Sequence, residues 1–201
     1  MNDLALSAVV WADYRLAVLL TVSVPLVLLI WAFISRIEAI QRQMEIYWKV
    51  SSLLAITVFL FIAALPLAFV TGWVARILIP ISLWFWTDLN EDIRDLSPYR
   101  PLKIAFNSWR WAMTFYSGAG TLFSLYFLRC ATVAQTTLLT EDTACRVWLA
   151  PPWGFREYFL AGQTPAFIGF IGLFGLAIYT LYLVYFLVIR LSRQGRLATR
   201  F

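Results

Sequence analysis

Four carboxylates crowd one short stretch of this chain: Asp88, Glu91, Asp92 and Asp95, spaced i, i+3, i+4 and i+7. On a helix they share one face. Carboxylates gathered on a face can hold Mg²⁺ and, through it, a diphosphate. An enzyme of that kind needs a second acidic motif facing the first. The nearest other acids, Glu141 and Asp142, are expected on the opposite side of a membrane. The four acids are therefore weak metal candidates. The competing expectation is a solvated face that stops a helix sliding inward and docks a basic partner.

Arg76 and Arg110 are the charges closest to long apolar runs. A charge inside a membrane span is expensive and marks function by default. Both are also expected near an interface, where a long side chain can snorkel to headgroups. Cys130 and Cys145 are candidates for a disulfide, because a loop on the oxidising side of a bacterial membrane lets them pair. There is no histidine, so the commonest metal ligand and general base is missing. No nucleophile–base pair and no phosphate-binding glycine loop is visible, and no cofactor is implied. The net charge of +5 collects in loops and tail, which fits membrane orientation better than nucleic-acid binding.

The elements that position these residues are apolar and long. The chain is 62% hydrophobic and 13% charged, against about 25% charged in an ordinary soluble domain. The apolar residues form runs bounded by charges, the signature of spanning helices. The expected fold is all-α: a single polytopic transmembrane helix bundle over residues 1–201. Its spans are expected near 16–34, 50–70, 73–87, 104–128 and 164–189, with a long outer loop 129–163 and a basic tail 190–201. The start has no basic n-region and no cleavage signal, so the first span is expected to serve as its own targeting signal. Pro25 predicts a kink in that span. Residues 35–49 read as an amphipathic helix, with Glu38–Arg42 and Glu45–Lys49 at i,i+4; it would lie on the membrane or extend the first span. Pro66, Gly72 and the "TGW" step predict a break before Trp73.

The segment 73–87 decides the topology. Fifteen residues make about 22 Å of helix, short of the ~30 Å hydrocarbon core. Four spans plus a re-entrant segment is the alternative. Five crossings place Arg36, Arg42, Lys49, Arg94, Arg100, Lys103, Arg110 and the tail arginines together on the cytoplasmic side, as the positive-inside rule asks. This favours five spans with a cytoplasmic C-terminus, and makes Arg76 an outer anchor. Trp84–Trp86 and Trp109–Trp111 then read as an aromatic belt. Gly169, Gly172 and Gly175 form a smooth ridge that lets another helix approach closely.

The stretches "LLAITVFLFIAALPLAFVTGWVARILIPISLWFWTDLNEDI", "CRVWLAPPW" and "RLSRQGR" resemble a family of uncharacterised integral membrane proteins of cyanobacteria, a domain of unknown function. The resemblance extends over nearly the whole chain. It implies an oxygenic phototroph, hence a thylakoid or plasma membrane, and carries no activity and no catalytic residue. The expectation is an accessory or assembly factor for a membrane complex, a photosynthetic one included, with the lipid bilayer and another membrane protein as partners. The alternatives are a small transporter or channel subunit, motivated by Arg76, and a membrane enzyme using the acidic face.

Overall fold

The structure is a computed structural model that describes residues 3–140 and 143–191. Glu141, Asp142 and the tail arginines Arg193, Arg196 and Arg200 lie outside them. The described residues are mostly helical, and none of them is in a strand.

The first rod is α1 (Asp3–Ala17), a π turn (Val18–Ser23) and α2 (Val24–Ile34) in one run. It starts well before residue 16, so Asp13 is not its boundary but sits inside it. Pro25 explains the π turn. Proline has no N–H to give to the carbonyl four residues back, so the helix widens there. The freed carbonyls are taken by other helices: Tyr47 Oη donates to Thr21 O at 2.8 Å and Trp109 Nε1 to Leu20 O at 2.8 Å.

The rod ends in a Schellman turn. Arg36 has φ 51°, its N–H donates to Phe33 O, and that of Ile37 donates to Ala32 O. The chain then enters α3 (Glu38–Ile62), in which the amphipathic segment and the next apolar run form one helix. That segment therefore extends the second span rather than the first or a surface helix. Its inner face, Ile40, Gln43, Met44 and Tyr47, is fully buried. Of its two expected charge pairs, Glu38–Arg42 closes at 3.5 Å.

A second Schellman turn ends α3. Ala64 has φ 52°, its N–H meets Phe61 O at 2.9 Å, and Leu65 N–H meets Leu60 O at 3.0 Å. The break is thus at Ala63–Pro66, not at Gly72, and α4 (Leu67–Trp84) has 18 residues. At about 1.5 Å each they give roughly 27 Å, close to the hydrocarbon thickness. Residues 73–84 of that segment are the last two-thirds of this longer helix, so the span is no longer short, while Thr87 already begins the next helix.

After α4 come α5 (Thr87–Asp95) and α6 (Pro101–Leu125). The loop 129–163 is filled by a 3₁₀ stretch (Tyr126–Thr132), α7 (Gln135–Thr140), α8 (Thr143–Arg146) and α9 (Ala150–Phe159). Cys130 and Cys145 form a disulfide, Cα–Cα 5.8 Å, and both are fully buried. Trp148 packs between Phe123 and Phe127 rather than at a headgroup surface. Thr164 accepts the Phe167 N–H and Pro165 follows, starting α10 (Pro165–Tyr185). Among the described residues, four helical runs are long and apolar enough to cross a membrane: Leu4–Ile34, Glu38–Ile62, Leu67–Trp84 and Pro165–Ile189. Helix α6 is as long as α3 but has no stretch apolar enough to stand among these runs, with Lys103, Asn107 and Arg110 in its first half.

Two apolar cores stack end to end. One surrounds the disulfide with Leu6, Val10, Phe61, Phe69, Phe127 and Leu149. The other joins Leu28, Ile40, Met44, Ile79, Leu83, Phe106 and Met113.

Candidate functional site

Between the two cores lies a buried ion pair. Arg76 is near the middle of α4, and its Nη2 donates to Asp13 Oδ2 on α1. Their side chains are 11% and 14% exposed. Tyr116 on α6 completes the site, its hydroxyl donating to Asp13 Oδ1 at 2.9 Å. The Arg76 guanidinium also lies 5.5 Å from the Tyr116 ring centre, a cation–π contact. Gly120, one turn further along α6, makes this packing fit: a Cβ there would collide with the guanidinium. A charge this deep is stable only when paired and hydrogen-bonded. Arg76 is therefore an internal clamp across α1, α4 and α6, and not a snorkelling outer anchor.

Arg110 is likewise interior, 3% exposed. Its guanidinium stacks 3.7 Å from the Trp84 ring centre. Its Nη2 donates to Leu83 O at 2.5 Å and to Asn90 Oδ1. The Leu83 carbonyl belongs to the last turn of α4, where unpaired carbonyls and the helix dipole favour a cation. Lys103 does the same for α5, bonding Arg94 O and Leu96 O. Trp84 Nε1 donates to Thr114 Oγ1 at 2.9 Å. Trp86 and Trp109 are about 95% buried. The expected belt tryptophans Trp84, Trp86 and Trp109 thus serve helix contacts, while Trp111 is half exposed.

The acidic face behaves differently. Helix α5 buries Leu89 and Ile93, while Glu91, Asp92 and Asp95 are exposed and Asp88 is half buried. No group of three carboxylates, cysteines or histidines close enough to hold a metal ion occurs among the described residues. The glycine ridge faces the chain's own α3. A Cβ at Gly169 would stand 2.5 Å from Ala63 Cβ, and one at Gly172 3.1 Å from Leu60 and Phe59. One at Gly175 would stand 3.5 Å from Ile56.

Beside the ion pair is a cavity of about 430 Å³ between α1, α3 and α4, closed at one end by Phe127 and Trp148. Helix α1 barely touches α3 here, and the π turn supplies Val18, Thr21 and Val22 to the wall. A wider depression of about 620 Å³ near Ala63 and Phe170 opens to the surface. Its Gln135 and Arg156 are already spent on the carbonyls of Ala63 and Gln163. The sequence reading missed Asp13, Tyr116 and Gly120. The available signal was the opposite sign of Asp13 and Arg76, with Arg76 the single charge between Lys49 and Asp88.

No curated protein and no solved structure matches the chain. One family model does, over residues 7–199, and the chain therefore belongs to the family described as protein of unknown function (DUF3177).

Proposed function

We propose that this chain is an integral membrane protein that serves as an accessory or assembly subunit of a membrane complex. The carrying observation is α10. Its glycine ridge packs on α3, and the rest of its surface is exposed: Phe167, Phe170, Phe174, Ile178 and Leu181. Phe170 and Phe174 stack in parallel on that face. A helix held along one narrow edge presents a broad aromatic stripe to another membrane protein, and aromatic residues are enriched at such contacts. The interior charges support a rigid, non-transporting role. Arg76, the motive for a transporter or channel subunit, is neutralised by Asp13 and closed in by Tyr116. Of the carboxylates that motivate an enzyme, Glu91, Asp92 and Asp95 are exposed and Asp88 is half buried.

The membrane is a plasma or thylakoid membrane, with α6 as a fifth crossing and the C-terminus cytoplasmic. Supporting this are the 25 residues of α6, about 37 Å of helix, and the charge bias of the connecting segments. Two experiments test the proposal. A photo-crosslinker at Phe174, followed by native gels after gentle solubilisation, is expected to trap a heterologous complex; migration only as a free monomer with lipid adducts refutes it. Topology reporters after Gln43 and Pro98 are expected on the same side; opposite sides refute five crossings.

A further inference from the structure

Beyond any partner contact, the cavity beside Arg76 has the features of a ligand site. Its lining follows α3 from Trp48 to Phe61, about 20 Å at ~1.5 Å per residue. A volume of about 430 Å³ spread over that length is a narrow slot, on average about 20 Å² in section. A slot of that shape suits one hydrocarbon chain. The slot opens sideways between α1 and α3, past Val18, Val22 and Ala55, all exposed where lipid would be.

Its polar groups have one character. The hydroxyls of Thr21, Ser51 and Thr57 in the wall are already bonded to backbone carbonyls. The Tyr14 hydroxyl and the indole N–H groups of Trp48, Trp73 and Trp148 are buried without a partner among the described residues. All four of these residues line this same slot. Buried tyrosine and tryptophan normally find an acceptor, and an indole N–H can only donate. Tyr14 adjoins Asp13, and Trp73 lies one turn from Arg76, so both stand at the height of the ion pair. The charge of Arg76 is already neutralised by Asp13 through Nη2, while its Nη1 adds a further donor without a partner among the described residues. A second full negative charge here would therefore be buried without compensation.

We propose that this slot binds one neutral, single-chain apolar molecule bearing a carbonyl acceptor, of the ester-lipid or isoprenoid-quinone kind. The carbonyl lies against Tyr14 and Trp73, and the chain runs toward Phe61, Phe69 and Phe127. The test uses the full chain in nanodiscs of ether-linked phosphatidylcholine, which has no ester carbonyl to compete. A decyl-substituted benzoquinone is titrated against tryptophan fluorescence, with monoolein as competitor and oleate as charged control. The expected result is saturable quenching displaced by monoolein and not by oleate. Tyr14→Phe with Trp73→Phe removes both donors while leaving an aromatic ring at each position, and weakens binding about tenfold. Ala55→Phe, at the exposed mouth, abolishes binding without touching the core. Quenching that monoolein cannot displace assigns a quinone. Monoolein retained in native mass spectra with no saturable quenching assigns an ester lipid. Neither probe binding saturably, oleate binding as tightly as the neutral probes, or unchanged affinity in Ala55→Phe overturns the proposal.

Discussion

Replacing Asp13 by Asn isolates what the buried ion pair contributes. The substitution keeps the size of the side chain and leaves an amide oxygen to accept the Tyr116 hydroxyl. What it removes is the negative charge facing Arg76. Breaking a buried pair by deleting one partner costs about 3–5 kcal/mol, because the other charge is left uncompensated. The side chains here are 11% and 14% exposed and adjoin a cavity, so a little relaxation is available. The lower end, about 3 kcal/mol, is expected. For a chain of this size that lowers Tm by about 6–12 °C. Tryptophan-fluorescence melting in mild detergent reads it. The double variant Asp13→Asn with Arg76→Met is the control. Methionine is unbranched, shorter than arginine and flexible enough to fill the space over Gly120, and it removes the charge that Asp13→Asn would leave uncompensated. Replacing a whole buried pair is often neutral, so the double variant is expected within about 1 kcal/mol of wild type. A single variant as stable as wild type, or a double variant no better than the single, refutes a charge-compensation role for Asp13.

Further outcomes follow from the same geometry. Gly169→Ala and Gly172→Ala should each cost about 1–3 kcal/mol by overpacking α10 on α3, while Gly175→Ala, with ordinary contact distances, should be neutral or gain up to about 1 kcal/mol from helix propensity; thermal melts of the three variants check this order. Cys130→Ser with Cys145→Ser should lose about 3 kcal/mol, the chain-entropy value for closing a loop of this length, at a sequence separation of 15. Both sulfurs are fully buried, so alkylation after added reductant should track unfolding. Arg110→Lys keeps the charge but loses the planar stack on Trp84 and the fork reaching Leu83 O and Asn90. It should destabilise by about 2 kcal/mol and shift the tryptophan emission to the red.

The helical character and the apolar runs could be read directly, because composition and run length alone force them in a membrane protein. The boundaries could not, and the reason is local. Both turns that set them put a non-glycine residue, Arg36 and Ala64, in the left-handed region. Glycine is the usual marker of such a stop. Of the expected breakers, Pro66 stands at the turn, while Gly72 and the "TGW" step lie inside α4, so the helix starts earlier than expected. The glycine that matters most to packing, Gly120, does its work by having no side chain beneath Arg76, and no spacing pattern announces that. Arg76 and Arg110 were visible as costly charges, but their partners are 63 and 27 residues away in sequence. Pairings of that separation come from the stacking order of helices, which hydropathy does not encode. The disulfide was accessible because two cysteines share one loop.

The two interior arginines solve one physical problem in two ways, and the difference bears on the slot. Arg110 draws on carbonyl dipoles at the end of α4 and on an indole face, so it ties consecutive elements together. Arg76 draws on a carboxylate of the first helix, which is distant in sequence. That helix is anchored at one end by Leu6 and Val10 in the disulfide core. Near the other end it is held by the Leu20 and Thr21 carbonyls. Between those anchors it makes little contact with α3. The Asp13–Arg76 bond is thus the midpoint restraint on α1, at the height where Tyr14 and Trp73 face the slot. A charge buried there costs more than a leucine would, yet it fixes the separation of α1 from α4 and so the width available to a chain entering from the side. Loosening that bond should therefore change occupancy of the slot as well as stability. Asp13→Asn joins the two measurements: the same substitution that lowers Tm should weaken quinone-probe quenching, whereas Gly169→Ala, also destabilising but pressing Ala63 and Leu65, which do not line the slot, should leave quenching unchanged.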